Sequence, residues 1–547
     1  MNRLKNLITK YGAFALIPLW GIVCFAFFQG WYHYHFFYQE QNQLFLASSD
    51  YLLTYFEKPA WLSCLLGDWL TQFYYYLYAG PAILCLGLIL VGCSTYYAIH
   101  VSGIKNRWIT VAIALAAMTI EAIFSFHYDY RLSSVLSFVG GSLLFGVSTQ
   151  LIRRINSHFA LLSAISIALC VPLTFWLFGY GVWMYAAWVT LGCLLYIRET
   201  SNYLHFGILV ISMFLLSLCK RLYFMPFDML YSYPGIGEFQ MPQMDLEKTL
   251  AAEDEYYFGN YNKLTKMVEE AEDPNPYMKF YYNLAMAERG LLPNKLLSLQ
   301  NNNLGTFEKI GPDTPTLTTK SINNLYWTLG DITFAERATM LGNVCSPNNR
   351  NIRMIKRLAE INLVSGDKNA ARKYLYILQK TFVWKNWANQ LLAALDQQRQ
   401  NPASKAPGIL QPYLEKVQFT NRKDTLRLSD NGYTILQELL ESNPENHIAL
   451  DYLLCSDLLL KDMETFKHDY DTYYLKQQTP HYEKLYQEAL MIYLAGTNAP
   501  QEEWQKYIKR MDIMQRFQQY NQQRGSSAFA DTYWYYFDKG TAPKLEK

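Results

Sequence analysis

The sequence predicts an all-α protein in two parts, a transmembrane bundle of about seven helices followed by a helical repeat domain. Two observations predict this fold class. The 547 residues are 51% hydrophobic and 17% charged, but most of the Asp, Glu and Lys residues follow Leu222. Long apolar runs precede Leu222, and helical spacing of apolar residues follows it. We therefore expect a transmembrane domain at 1–222, a linker at 223–247 and a helical domain at 248–547.

The membrane spans are predicted from length and composition. A helix needs roughly 20 mainly apolar residues to cross the hydrocarbon core of a bilayer. The runs of this kind are 12–30, 78–99, 108–126, 132–150, 158–177, 179–197 and 204–220. No small-residue cleavage site follows the first run, so we expect it to remain as an anchor. The outer loop at 31–77 mixes aromatic and acidic residues, which predicts two short helices in the membrane interface, near 50–57 and 59–74.

Basic residues predict the orientation of the spans, because Lys and Arg favour cytoplasmic loops. With a cytoplasmic N-terminus, eight basic residues lie on the inner side: Arg3, Lys5, Lys10, Lys105, Arg107, Arg153, Arg154 and Arg198. Four lie on the outer side: Lys58, Arg131, Lys220 and Arg221. An odd number of spans then exports the rest of the chain. We expect a multi-pass protein of the bacterial inner membrane with a periplasmic C-terminal domain.

The helical domain is predicted from paired amphipathic segments. The clearest pair is 353–364 and 369–379, with Ser365-Gly366-Asp367 as the turn. It resembles a tetratricopeptide repeat, with Leu358-Ala359 in the first helix and Ala370-Ala371 and Tyr374 in the second. Looser hairpins occupy 248–271 with 276–289, 323–343, 431–461 and 482–517. Stacked helical repeats form concave surfaces, so this domain either binds a peptide or protein or only braces the membrane part.

Composition and motifs exclude several function classes. A net charge of +2 without a basic stripe argues against nucleic acid as a partner. No Walker motif, nucleotide-binding glycine loop, His-Glu-x-x-His or Gly-x-Ser-x-Gly is present, which argues against an ATP-driven pump and a soluble-type hydrolase. The nine cysteines have no metal-ligand spacing, and we expect no required disulfide. No metal-binding motif identifies a cofactor, and the sequence does not exclude a divalent cation.

Ionisable residues gather in the predicted outer loops. Glu40 lies in the first loop, and His127, Asp129 and Arg131 lie in the second. Glu121 lies inside the third span, where a carboxyl group is costly and marks a candidate functional residue.

Each of these residues also has a simpler explanation. Glu121 would make a helix–helix hydrogen bond or stay protonated, and head groups would solvate Glu40. Asp129 and Arg131 would pair as a loop clamp. His33 and His35 are weaker candidates, because aromatic interfaces often contain histidine.

This arrangement resembles the membrane core of the GT-C glycosyltransferases over residues 10–220. That core has seven spans, a long first outer loop with interfacial helices, an acid early in that loop and often acids in the second outer loop. The resemblance implies transfer of a sugar from a polyprenyl-phosphate donor to an acceptor on the outer face of the membrane. In this sequence Glu40 is a single acid between Gln39 and Gln41, whereas many GT-C glycosyltransferases have a pair of acids there.

The resemblance also implies roles for the candidate residues. Glu40 would be the general base on an acceptor hydroxyl, and Asp129 and His127 would orient these groups or bind a metal. Arg131, with Lys220 or Arg221, would hold the lipid phosphate as it leaves.

The chain is also similar to an uncharacterised family of bacterial membrane proteins with tetratricopeptide-like tails. The similarity covers Gln39-Glu40-Gln41, Gln43-Leu44-Phe45 and Tyr130-Arg131-Leu132-Ser133. The alternative to an enzyme is a membrane-anchored scaffold or assembly factor whose helical domain binds an envelope protein or peptide. A transporter is less favoured, because no inverted repeat or matched pair of broken spans is visible. The lipid bilayer is a partner under each hypothesis.

Overall fold

The computed structural model describes residues 12–155, 159–195, 201–299, 316–401, 405–421, 431–477 and 482–542. These residues form helices and connecting turns and contain no β-strand, which confirms the all-α class. Four basic residues of the orientation prediction, Arg3, Lys5, Lys10 and Arg198, lie outside the described residues.

The α-helices of the first half follow one another with short connections. They are α1 (Leu16–Trp31), α2 (Tyr34–Gln41), α3 (Ser49–Leu53), α4 (Trp61–Thr71), α5 (Ala79–Val101), α6 (Arg107–Phe124), α7 (Leu132–Ile155), α8 (Phe159–Phe178), α9 (Gly181–Leu195), α10 (Ser201–Leu216), α11 (Cys219–Tyr223) and α12 (Phe227–Leu230). Short 3-10 segments at Thr54–Glu57 and Gln72–Tyr75 extend α3 and α4.

The second half consists of helices joined by turns in its described residues. Its α-helices are α13 (Met244–Tyr257), α14 (Tyr261–Glu269), α15 (Pro276–Glu288), α16 (Leu292–Lys295), α17 (Thr316–Leu329), α18 (Ile332–Val344), α19 (Ile352–Ser365), α20 (Lys368–Gln379), α21 (Lys385–Gln400), α22 (Gln411–Lys416), α23 (Gly432–Ser442), α24 (His447–Leu460), α25 (Met463–Asp469), α26 (Lys484–Gly496), α27 (Gln501–Tyr507), α28 (Met511–Gln522) and α29 (Tyr533–Lys539).

The chain forms two compact units. Unit 1 is Met1–Glu247 with Ile377–Asn386, and unit 2 is Lys248–Tyr376 with Trp387–Lys547. Within unit 1, the segment 377–386 is held by hydrogen bonds from Ala47 N to Lys380 O (2.7 Å) and from Phe382 N to Gln72 Oε1 (3.4 Å).

Five stretches of unit 1 are long and apolar enough to cross a membrane. They are Ala79–Val101, Arg107–Phe124, Leu132–Arg154, Ala160–Phe178 and Asn202–Tyr223. Helices α1 and α9 are also apolar but shorter, with 16 and 15 residues. At 1.5 Å per residue each is roughly 24 Å long or less, somewhat under the thickness of a hydrocarbon core. Membrane candidates are therefore confirmed, and the count of seven spans stays a prediction.

The apolar helices of unit 1 alternate in direction, so their connections gather at two ends. Short turns reverse the chain between α5 and α6, between α6 and α7 and between α8 and α9. Helices α5 and α7 run parallel, because Gly87 lies beside Val135 and Gly146 lies beside Tyr97. We call the end that carries 32–78, 125–131, 179–180 and 217–243 the loop end, and the end that carries 102–106 the opposite end.

The first loop is folded onto the helices. Gly67 of α4 lies so close to the Ser133 backbone that a Cβ would come within 2.7 Å of Ser133 N. Ser137 Oγ donates to Ser63 Oγ (2.8 Å), and Ala60 N donates to Phe175 O (3.2 Å). The helical conformation predicted for 50–57 and 59–74 is confirmed by α3 and α4 with their 3-10 extensions.

Unit 2 has a large hydrophobic core that includes Tyr282, Leu453 and Trp534. Its clearest hairpin is α19 and α20. Gly366 ends α19 with φ of 82°, a conformation that favours glycine, and Asp367 Oδ1 accepts from Ala370 N (2.9 Å) at the start of α20. This turn has the conformation that the sequence predicts, and the tetratricopeptide likeness stays a prediction.

Candidate functional site

The two loops with the predicted site residues are joined at the loop end of unit 1. The Gln39 side chain donates to Tyr130 O (3.0 Å), and Tyr32 Oη donates to Phe126 O (2.9 Å). The rings of Tyr38 and Tyr128 meet edge to face at 5.3 Å. Helix α2 therefore packs against the turn at 125–131.

This contact brings three candidate residues into one region, because each of them is next in sequence to Gln39 or Tyr130. Glu40 follows Gln39, and Asp129 and Arg131 flank Tyr130. Their environments differ: Glu40 is buried, with 1% of its surface exposed, whereas Asp129 and Arg131 are exposed. His127 is half-buried, and its Nδ1 accepts from Asp129 N (3.2 Å), which closes the turn locally.

Glu121 is tied to the same turn. Its Oε2 accepts a hydrogen bond of 2.5 Å from Tyr130 Oη, and both side chains are buried. Tyr180 Oη donates to Ser134 O (2.7 Å) close by. Glu121 thus holds the turn at 125–131 onto α6, which is the kind of structural hydrogen bond that buried polar groups require.

An acid that the sequence alone does not single out caps α2. Glu247 Oε1 accepts from Tyr34 N (2.6 Å), and Oε2 accepts from His35 N (3.2 Å). A carboxylate at this position stabilises unpaired N–H groups at the start of a helix. The His35 ring lies 4.0 Å from the same carboxylate, and burial lowers its pKa to about 3, so the imidazole is neutral.

A small cavity lies between α2 and the turn at 125–131. His35, Gln39, Ser125 and Tyr130 contribute polar groups, and Leu132 is among its apolar lining residues. Its volume of about 10 Å³ has room for a single water molecule. This cavity therefore has no space for a sugar, and Glu40 is not among its lining residues.

A second polar cluster lies at the same end, around α4. Tyr55 Oη donates to Asp68 Oδ2 (2.8 Å), and Cys64 Sγ lies 3.8 Å from Tyr233 Oη. Burial, with the Asp68 carboxylate, raises the pKa of the Cys64 thiol to about 12, while Arg131 acts in the opposite direction. Asp68 and Arg131 are therefore close to the same groups.

Asp68 is half-buried, which makes it a more accessible acid than Glu40. The sequence alone does not single it out, because it stands among the scattered acids of the first loop. The signal that would have found it is Gly67, whose missing side chain lets α4 approach α7.

The structure does not gather every predicted residue. Lys220 and Arg221 are exposed on α11, whereas Glu40 lies on α2 and Asp129 and Arg131 lie in the turn at 125–131. Among the described residues, no group of three or more His, Cys, Asp or Glu side chains is arranged to hold a metal ion.

Comparison with known proteins identifies the family of the chain. A model described as a family of unknown function, DUF6057, matches residues 8–540. The chain belongs to this family. The match spans both units, so the family includes the helical second half as well as the apolar first half. No curated protein matches the chain, and no solved structure matches it. The expected membership of an uncharacterised family is confirmed.

Proposed function

We propose that this protein is a GT-C-like glycosyltransferase that moves a sugar from a polyprenyl-phosphate donor to an acceptor. The observation that supports it best is the hydrogen bond from the Gln39 side chain to Tyr130 O. It joins the two loops in which the GT-C resemblance expects its acids, next to Glu40 on one side and to Asp129 and Arg131 on the other. Asp68 adds an accessible acid at the same end.

The chemistry requires these residues in distinct roles. Glu40 takes the proton from an acceptor hydroxyl as its oxygen forms a bond to the anomeric carbon of the sugar. The bond from that carbon to the phosphate oxygen breaks, and its electron pair leaves with the polyprenyl phosphate. Arg131 offsets the negative charge that develops on that phosphate. Asp129 orients the acceptor from the neighbouring turn.

Burial of Glu40 implies a conformational step. A carboxylate with 1% exposure does not reach a hydroxyl in solution, and the cavity between α2 and the turn at 125–131 has room for one water molecule only. The donor or acceptor must therefore displace α2 from the turn at 125–131. Opening of this kind is common in enzymes that exclude water from the reaction.

The orientation of unit 1 follows from its basic residues. Lys105, Arg107, Arg153 and Arg154 lie at the opposite end, in or beside the turn at 102–106 and in the last turn of α7. If that end faces the cytoplasm, the loop end faces the periplasm. The helical second half then binds the acceptor protein or peptide outside the cytoplasm, as its tetratricopeptide-like hairpins suggest.

The test compares envelope glycans in a deletion strain that carries the wild-type chain, Glu40→Gln or Glu57→Gln. Glu57 lies in the same loop but is exposed, so Glu57→Gln is the matched control. We expect Glu40→Gln to lose a glycan that the wild type and Glu57→Gln restore, at equal protein levels in the membrane. A Glu40→Gln strain with the full glycan profile would favour the non-enzymatic scaffold. A deletion without any change in glycans would contradict the transferase itself.

A further inference from the structure

The segment 219–244, which we call the strap, carries large apolar side chains that face away from the protein. It begins within the last apolar stretch, Asn202–Tyr223, and includes most of the predicted linker at 223–247. Phe224 is 93% exposed and Phe239 is 72% exposed. The other outward apolar residues of the strap are Leu222, Phe227, Met229, Ile236, Met241 and Met244.

The strap is held in place, because hydrogen bonds join its inner side to α9, α10 and the end of α1. Tyr231 Oη donates to Met213 O (2.6 Å), and Trp183 Nε1 donates to Tyr231 O (3.2 Å). Tyr180 N donates to Tyr233 O (2.8 Å). Further along, Gln243 N donates to Tyr32 Oη (3.3 Å).

A segment surrounded by water would turn its apolar side chains toward the protein. A segment fixed in place through its backbone and tyrosines keeps its apolar side chains outside. Contiguous exposed apolar surface of this kind marks contact with a membrane or another protein.

The level of the strap identifies the membrane as its partner. Exposed tryptophan and tyrosine side chains surround the loop end of unit 1, as in the aromatic belt at a membrane–water interface. They are Trp31, Tyr76, Tyr78, Trp176 and Trp183. Trp183 is itself bonded to the strap, so the strap lies at the level of this belt. The outward surface of the strap also continues the exposed apolar surface of α10, where Phe214 is 72% exposed.

We propose that the strap lies in the membrane–water interface and that phospholipid covers its outward face. Lys220 and Arg221 stand at its start and contact the phosphate groups of the lipids, as basic residues at the ends of membrane helices do. The acids of the strap, Asp228 and Glu238, are exposed and fit the aqueous side. The proposal is independent of the transferase activity, because it concerns only the surface of unit 1.

The experiment uses photo-crosslinking in the full chain, reconstituted in vesicles of phosphatidylethanolamine and phosphatidylglycerol. Phe224 and Phe239 are replaced one at a time by p-benzoylphenylalanine, which is close in shape to phenylalanine. Phe214 on α10 is the positive control, and Met511 in unit 2, 66% exposed, is the matched negative control. Intact-mass spectrometry after irradiation measures the adducts.

We expect phospholipid adducts at Phe224 and Phe239 with a yield within about threefold of that at Phe214, because interfacial side chains contact acyl chains and glycerol. Met511 should give roughly tenfold less. Lys220→Gln with Arg221→Gln should lower the phosphatidylglycerol share of the Phe224 adduct about twofold, since two cations near the surface are removed.

Two results would overturn the proposal. Phe214 labelled by lipid without lipid adducts at Phe224 and Phe239 would place the strap outside the interface. Crosslinks from both positions to protein would mean that a second copy or the remainder of the chain covers this face. Normal elution of each variant on size exclusion ensures that the labelled protein is folded.

Discussion

At the scale of single residues, burial distinguishes acids that have a structural role from acids that are accessible to solvent. Glu121 and Glu247 are buried and accept hydrogen bonds, from a tyrosine and from the start of a helix. Glu40 is buried as well. Asp68 is half-buried, and Asp129 is exposed to solvent. Sequence spacing contains no direct information about this division.

Unit 2 contains a buried acid with a measurable consequence for stability. Burial raises the pKa of the Asp457 carboxyl to about 9, and Asp469 and Asp462 contribute in the same direction. The side chain lies in α24, almost without exposed surface. An aspartate in an unfolded chain has a pKa of about 3.9. Between these values the folded chain binds more protons than the unfolded chain, so its stability falls as pH rises.

Asp457→Asn replaces this carboxyl with a neutral group of the same size. We expect the free energy of unfolding of the wild type to fall relative to Asp457→Asn by roughly 1.4 kcal/mol per pH unit across this window. The measurement is the melting temperature of the full chain in detergent at pH 5, 6.5 and 8. Exposed Glu441→Gln is the control and should follow the wild type. Parallel curves for the wild type and Asp457→Asn would show that the carboxyl is ionised in the folded chain.

At the scale of elements, small residues determine how closely the apolar helices of unit 1 approach. A Cβ at Gly141 of α7 would overlap the carbonyl oxygen of Gly181, and one at Gly140 would overlap the Phe178 ring. Helices in lipid gain little from burying apolar surface, so close backbone packing contributes much of their association. The turn at 179–180 depends on this approach.

Gly141→Ala should therefore destabilise the chain by about 1–3 kcal/mol, because the backbone has to move apart. Gly192 lies in α9, where an added Cβ meets nothing within 4 Å. Gly192→Ala should stay within about 1 kcal/mol of the wild type, in the stabilising direction, since alanine favours a helix. Thermal unfolding of both variants in the same detergent measures the difference. Equal melting temperatures would mean that α7 and α9 separate easily.

At the scale of the whole molecule, the number of crossings determines where the second half lies. Five apolar helices, α6 to α10, separate the turn at 102–106 from the strap. Because five is odd, the two lie on opposite sides if every helix crosses. Helix α9 is the decisive one, because it is short and its loss would make the number even.

Reporter fusions test this topology. Alkaline phosphatase fused after Lys105 should be inactive, and fused after Gln243 it should be active, because the enzyme needs an oxidising compartment for its disulfides. Green fluorescent protein at the same positions should give the opposite pattern. Activity of the same reporter at both positions would mean that one of the five helices does not cross.

The sequence by itself determined the helical class, the apolar first half and the turns that end helices. These features depend on local composition and on the helical period, so the turn at Gly366 and Asp367 can be predicted from the sequence alone. It also determined that Glu40, Asp129 and Arg131 stand in two separate loops. Membership of an uncharacterised family agrees with the similarity seen at Gln39-Glu40-Gln41 and Tyr130-Arg131-Leu132-Ser133.

Only the tertiary structure decided which of those residues meet and which are covered. The bond from Gln39 to Tyr130 joins residues 91 positions apart, and the cap from Glu247 on α2 spans more than 200. The segment predicted as a linker is held against unit 1 for the same reason, since its inner contacts come from other helices of the unit. Packing between distant segments sets burial and solvent access, and no local pattern of residue types contains that information.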